Sequence, residues 1–393
     1  VFSGLSVLGA GEGPARPPAA PGDPIGPSPQ VVDDRAGVIC DRRARTYTAV
    51  LALRGHTFAL LGPEDKDRRV AGWAAVLASL AREGSVVHRL QWVASALPDD
   101  GRAVRGHLED RSSLPAEAPA RQSYAELLAV AGVHTCRHEV LLAVQVMAGG
   151  RAARAIRAGG GGDAGACAVL LREVATLRRL LAEADVTVEG LLSPAEVAGV
   201  LRRTADPGPG GPRPADGCPP CPVGWPWPVA VESEWSRLRT DATWHTTYWV
   251  AEWPRIDVGP DFLAPLLLSP GRRSLSVVME PLSPLAATRA VERARTADLA
   301  DSELRRRGGF LSTARRHRES ELVVRREEEL ADGHAAVRYS GYVTVTAPNL
   351  DQLEDGCETT EQAAGQARLE LRRLYGDQER AFLCTLPLGR GLS

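Results

Sequence analysis

Between Asp206 and Pro228 the chain runs DPGPGGPRPADGCPPCPVGWPWP. Proline there removes backbone donors and glycine raises the entropic cost of order, so neither a helix nor a strand can cross the stretch. Whatever this chain folds into must be built from what lies on either side. A second such stretch, Pro14 to Pro29, dominates an opening that reads as an extended tether over residues 1–37. Two α+β lobes are therefore expected, the first over 38–205 and the second over 232–393, joined by a Pro/Gly/Cys linker over 206–231. With 393 residues and 44% hydrophobic content, each lobe can bury a core.

Periodicity fills in the lobes. Thr46 to Leu53 is β-branched and apolar, as a buried strand would be, and His56 to Leu61 can return as a second. Val70, Trp73, Ala74, Leu77 and Leu80 are spaced for a helix over Asp65 to Arg82. Val86 to Val93 is a strand, Ser123 to Ala131 a helix, Glu139 to Met147 a central strand, Asp163 to Ala184 an amphipathic helix and Val186 to Leu191 a strand. Ser193-Pro194-Ala195-Glu196 opens a further helix with the capping-box pattern. In the second lobe Thr243 to Glu252 alternates, with Trp244, Thr246, Tyr248 and Val250 on one face and His245, Thr247, Trp249 and Ala251 on the other. A short helix over Pro260 to Leu268, a strand over Ser274 to Glu280, a charged helical arm over 283–332 and a strand over Val337 to Thr346 follow. A helix over Asn349 to Tyr375 and a strand over Ala381 to Leu386 complete the lobe. The alternation predicts two ferredoxin-like α/β-sandwich lobes of similar plan, as a diverged duplication would give.

Several function classes are excluded or disfavoured. Lys66 is the only lysine, and it lies between acids without a preceding glycine run, so no Walker A phosphate loop exists here. The net charge of −2 gives no electrostatic reason to bind nucleic acid or an anionic membrane surface. No apolar run approaches ~18 residues, and the start lacks the basic n-region of a signal peptide. The opening at Val1, without methionine, suggests an excised piece. Seven scattered cysteines argue against a disulfide scaffold.

Cys218-Pro-Pro-Cys221 lacks the second pair that structural zinc needs, and it lacks the helix N-terminus that redox chemistry needs. His134, Cys136 and His138 read as a loop with incidental ligands. Asp163, after Gly159 to Gly162, reads as a helix N-cap on a flexible turn. With no Ser-His-Asp, His-Glu-x-x-His or paired-carboxylate frame, no catalytic, cofactor-binding or metal residue is assigned, and a non-catalytic protein is expected.

What remains points to partners. Arg305 to Arg307, Arg315, Arg316, Arg318, Arg325 and Arg326 interleave with Glu303, Glu319, Glu321 and Glu327 to Glu329. That is the pattern of a solvated helical arm, on the order of 70 Å long if unbroken. Tryptophans crowd into one segment. Trp244, Trp249 and Trp253, with Arg307, Arg315 and Arg318 on the arm, are the expected partner-binding residues.

Long motifs carry a resemblance. They are Trp244-His-Thr-Thr-Tyr-Trp249-Val-Ala-Glu-Trp253-Pro-Arg255, Tyr339-Ser-Gly-Tyr342, Gln366 to Gly376, Leu386-Pro-Leu-Gly-Arg-Gly-Leu392 and, upstream, Asp41 to Val50. Together they resemble an actinobacterial membrane-protein family encoded beside conjugation and type IV secretion components. The C-terminal half also looks like the N-terminal, non-ATPase domain of the large conjugative secretion ATPases. That likeness implies a structural or adaptor subunit, anchored by upstream helices with this region cytoplasmic. It further implies an oligomeric machine, a separate P-loop secretion ATPase and membrane-complex subunits as partners, and no direct nucleic-acid binding. A weaker resemblance, through Tyr248-Trp249 to Trp253-Pro254, is to the E component of type VII secretion membrane complexes. A cytosolic enzyme with an unfamiliar site is the third alternative.

Overall fold

A computed structural model describes residues 5–9, 36–54, 61–98, 114–115, 117–132, 136–206, 227–308, 324–325, 328–330 and 335–391. Most of the tether and the linker, Cys218, Cys221, His134 and all but the last residue of the return strand expected over His56 to Leu61 lie outside these residues.

The fold is α+β and is organised by one large antiparallel sheet. Its strands are β1 (Leu5–Gly9), β2 (Gly37–Asp41), β3 (Thr46–Leu53), β4 (Val87–Pro98), β5 (Cys136–Met147) and β6 (Val188–Leu191), then β7 (Val231–Ser233), β8 (Leu238–Thr240), β9 (Thr243–Glu252), β10 (Arg273–Pro281), β11 (Val337–Ala347) and β12 (Glu370–Arg373). The helices are α1 (Pro63–Leu80), α2 (Pro119–Gly132), α3 (Ala153–Ala158), α4 (Gly162–Glu183), α5 (Pro194–Ala205), α6 (Ala264–Leu268), α7 (Pro284–Gly308), α8 (Leu350–Gln366) and α9 (Gln378–Leu383). The spatial strand order is β1-β2-β3-β5-β4-β10-β11-β9-β8-β7, with β6 also pairing β3 and β12 also pairing β9. The sheet therefore runs without a break through both expected lobes. It crosses between them where β4 pairs β10, from Arg273 opposite Ala96 to Met279 opposite Leu90.

Alternation along the strands gives the sheet two faces. On the front, α1 and α4 cover Leu51, Leu90, Leu142 and Val144, while α6 and α8 cover Tyr248, Val250, Leu275 and Val343. Trp92 packs against both clusters and makes this front core continuous across the seam. On the back, α5, α9 and Trp227 close over Ile39, Val50, Val93 and Leu141. Elsewhere the back face buries polar side chains, among them Gln91, Gln145, Ser276 and Thr344, and a strap over Cys384 to Gly391 lies on them. The Gln91 amide donates to the carbonyls of Cys384 and Leu386, each at 2.8 Å, and accepts from Gly389 N at 2.6 Å. Gln145 donates to Leu388 O at 2.8 Å. Gly389 holds a left-handed φ of 68°, and a Cβ there would collide with Gln145.

Two expected elements are corrected. The helix expected over Asn349 to Tyr375 stops at Gln366, and Arg368 takes a φ of 58°. Leu369 and Leu371 then alternate into the front core as the chain joins β9 as β12. The strand expected over Ala381 to Leu386 is instead the helix α9 and the start of the strap, because Ala381, Phe382 and Leu383 bury together against the back face. Asp163 is not the N-cap of α4: that position is Gly161, and Asp163 sits in the first turn, accepting a hydrogen bond from Tyr47 Oη at 2.5 Å. Burial and this bond raise the Tyr47 phenol well above its ordinary range.

Candidate partner-contact site

β9 decides which tryptophans come together. Trp244 lies at its start, opposite Ala347, with Arg237 and Arg239 stacked on it at 5.5 and 5.3 Å. Trp249 lies near its end, opposite Tyr342, and is 37% exposed. Its indole N–H donates to Ser340 Oγ at 3.1 Å. Trp253 follows the strand and meets the half-exposed Tyr339 edge-on, with ring centroids 5.3 Å apart at 77°. Gly341 makes room for it, since a Cβ there would lie 2.7 Å from Trp253 Cζ2.

The base of the arm stands beside these rings. Tyr339 and Ser340 belong to the strand that returns from the arm, and Leu282 N bonds Ala336 O at 3.0 Å to close its neck. Arg338 pairs with Glu280 at 2.7 Å, and Arg89 approaches the same carboxylate at 3.6 Å. Although burial pushes Glu280 upward, these two guanidinium groups hold it below the usual carboxylate range. From α7 itself only Ala287 is buried; beyond it the residues to Leu299 are exposed save the half-buried Val291, among those whose side chains are described.

The structure thus brings Trp249 and Trp253 to the arm base, Trp249 on the back face and Trp253 on the front, and leaves Trp244 at the other end of the strand. Arg307 falls in the last turn of α7, and Arg315 and Arg318 lie outside the described residues. Tyr339, Ser340, Glu280 and Arg338 were not singled out as contact residues in the sequence; their signal is the cross-strand register of β9, β10 and β11, which exists only once the sheet is paired.

Chemically the arm base offers two different faces: on the back the Trp249 indole donor stands with Ser340 and the Glu280–Arg338 pair, and on the front Trp253 and Tyr339 form an aromatic pair, residue types common in protein-binding hot spots. Elsewhere, Glu139 pairs with Arg203 at 3.1 Å. Among the described residues no group of His, Cys, Asp and Glu is placed to hold a metal ion, and no helix is long and apolar enough to cross a membrane.

No curated protein matches the chain. Residues 135–250 match a family described as a putative type VII ESX secretion system translocon, EccE, a stretch that runs from β5 into β9 and includes Trp249 but neither Trp253 nor the arm. Over that stretch the chain is similar to the type VII E component, the weaker of the two sequence resemblances.

Proposed function

We propose that this chain is the non-catalytic soluble region of a membrane-anchored subunit of a type VII-like secretion translocon. The observation that carries this reading is the family match over residues 135–250. On this reading the region faces the cytoplasm, and Trp249, Trp253 and Tyr339 at the arm base contact a neighbouring membrane-complex subunit. A separate secretion ATPase is a further partner of the assembled machine. Each half, with a β-α-β-β-α-β order and its fourth strand beside its first, supports the ferredoxin-like plan. The conjugative alternative keeps the same adaptor role in a different machine.

The test is affinity purification of the full-length parent from solubilised host membranes, followed by mass spectrometry. Recovery of type VII membrane subunits is expected. A conjugative ATPase in their place would move the reading to type IV secretion. Recovery alone from the soluble fraction would overturn both.

A further inference from the structure

The strand order is a palindrome. Outward from the seam, the first half runs β4, β5, β3, β2, β1 and the second runs β10, β11, β9, β8, β7. In each half the outer edge of the third strand from the seam is shared: β3 pairs β2 at one end and β6 at the other, and β9 pairs β8 and β12 in the same way. A helix precedes each of those last strands, α4 before β6 and α8 before β12. Another follows it on the back face, α5 and then α9.

Backbone conformation repeats too, and independently of the pairing. Among the described residues four non-glycine residues have left-handed φ: Arg45, Asp185, Asp241 and Arg368. Such residues are uncommon, so their positions carry information. Arg45 (55°) and Asp241 (50°) occupy the turns from β2 to β3 and from β8 to β9. Asp185 (56°) and Arg368 (58°) each follow an alanine C-cap, Ala184 of α4 and Ala367 of α8, and each leads into the last strand of its half. Register repeats as well. Ile39 lies opposite Thr48, and Leu238 opposite His245; Ile39 and Leu238 are buried in the same back-face cluster.

We propose that the two halves are diverged copies of one unit, related by a twofold axis through the β4–β10 seam, and that this seam is a self-sufficient protein–protein interface in which one half binds the other without a covalent connection. Such an arrangement is what an isologous dimer becomes when its subunits are fused. It also makes the 99–135 connection, which carries α2, the counterpart of the 282–336 arm, leaving the sheet from the opposite end. The seam has the makings of an interface: Gln91 donates to Ser276 Oγ at 2.8 Å, Ser95 and Ser274 share a bond at 3.0 Å, Lys66 reaches Asp261 at 3.1 Å across the front, and the strap of the second half lies on Gln91 and Gln145 of the first.

The experiment places a specific protease site between Gly210 and Gly217 of the full chain, cleaves the folded protein and follows both fragments by size-exclusion chromatography. Co-elution at the volume of the uncut chain is expected; separation or aggregation of the fragments would overturn the proposal. Ser276→Arg puts a charge into the buried seam. It should abolish co-elution after cleavage, while the uncut variant stays intact through the high effective concentration of linked halves. Persistent co-elution of the cleaved variant would place the hold elsewhere and overturn the seam's role. Should that variant not fold, Ser274→Ala serves instead: the concentration at which cleaved fragments separate should rise several-fold, and an unchanged value would count against the proposal.

Discussion

At the scale of single residues, the back face carries an unusual histidine. His245 is fully buried, with its ring between Thr240 Oγ1 at 2.6 Å and Thr346 Oγ1 at 3.0 Å, and Phe382 against it at 4.5 Å. Burial pushes its imidazole down to about 3. In the unfolded chain it titrates near ~6.5. The unfolded state therefore binds more protons anywhere between those values, so the stability held by neutral His245 is complete above about pH 6.5 and falls as pH drops toward 3. The slope is at most about 1.4 kcal/mol per pH unit. Urea midpoints at pH 7 and pH 5 should differ clearly for the native chain and by less for His245→Gln; equal differences would show that other groups control the acid limb. His88, also lowered by burial, leaves some slope behind. None of this was legible beforehand. Sequence alternation puts His245 on the face opposite Trp244, but its partners Thr346 and Ala205 lie far along the chain. The contact residues divide the same way: a segment rich in tryptophan advertises a surface, while the separation of Trp244 from Trp249 depends on which end of β9 meets the arm. Trp249→Ala should accordingly reduce co-purification with membrane subunits while moving the thermal midpoint of the purified region by only a few degrees; equal loss of both would make Trp249 a folding residue.

At the scale of elements, local chemistry was readable wherever it was self-contained. Ser193-Pro-Ala-Glu196 forms the capping box its sequence announces: Glu196 N donates to Ser193 Oγ at 3.3 Å and Ser193 N to Glu196 Oε2 at 2.8 Å. Ser193→Ala should cost ~1 kcal/mol, read as a lower urea midpoint at constant slope. The alternation of β9 was equally plain. Where the reading failed, a distant pairing overrode propensity. Ala367-Arg-Leu-Glu-Leu-Arg-Arg373 is made almost wholly of helix formers, yet it extends because β9 offers an open edge and the front core takes Leu369 and Leu371. The short apolar run Ala381 to Leu386 cannot be told from a strand by periodicity, and only its burial against Trp227 and Leu238 makes it helical.

At the scale of the whole molecule, the continuous sheet and the strap are what sequence could not supply, since β4 meets β10 and Gln91 meets Gly389 across more than a hundred residues each. Two lobes joined only by a proline-rich connection would unfold as two bodies. Here the shared ladder, the front core through Trp92 and the strap all tie one half to the other, so a single cooperative transition is expected. Most tryptophans lie in the second half, whereas far-ultraviolet circular dichroism reports on both. The two signals should therefore coincide across a urea titration, and separated midpoints would show that the halves unfold independently. The strap is the sharpest handle on this coupling. Its Leu386 and Leu388 are almost fully buried, worth ~1.5–3 kcal/mol apiece. Its removal would also strip the buried Gln91 and Gln145 amides of carbonyl partners, at ~1–3 kcal/mol each. Together these losses rival the ~5–15 kcal/mol that keeps a domain folded. Truncation after Leu383 should thus abolish or nearly abolish cooperative folding, whereas Gly389→Ala, which presses a methyl group on Gln145, should lower the midpoint and keep one transition. A truncated chain that unfolds at the native midpoint would mean that the ladder alone unites the halves and that the strap merely lies on them.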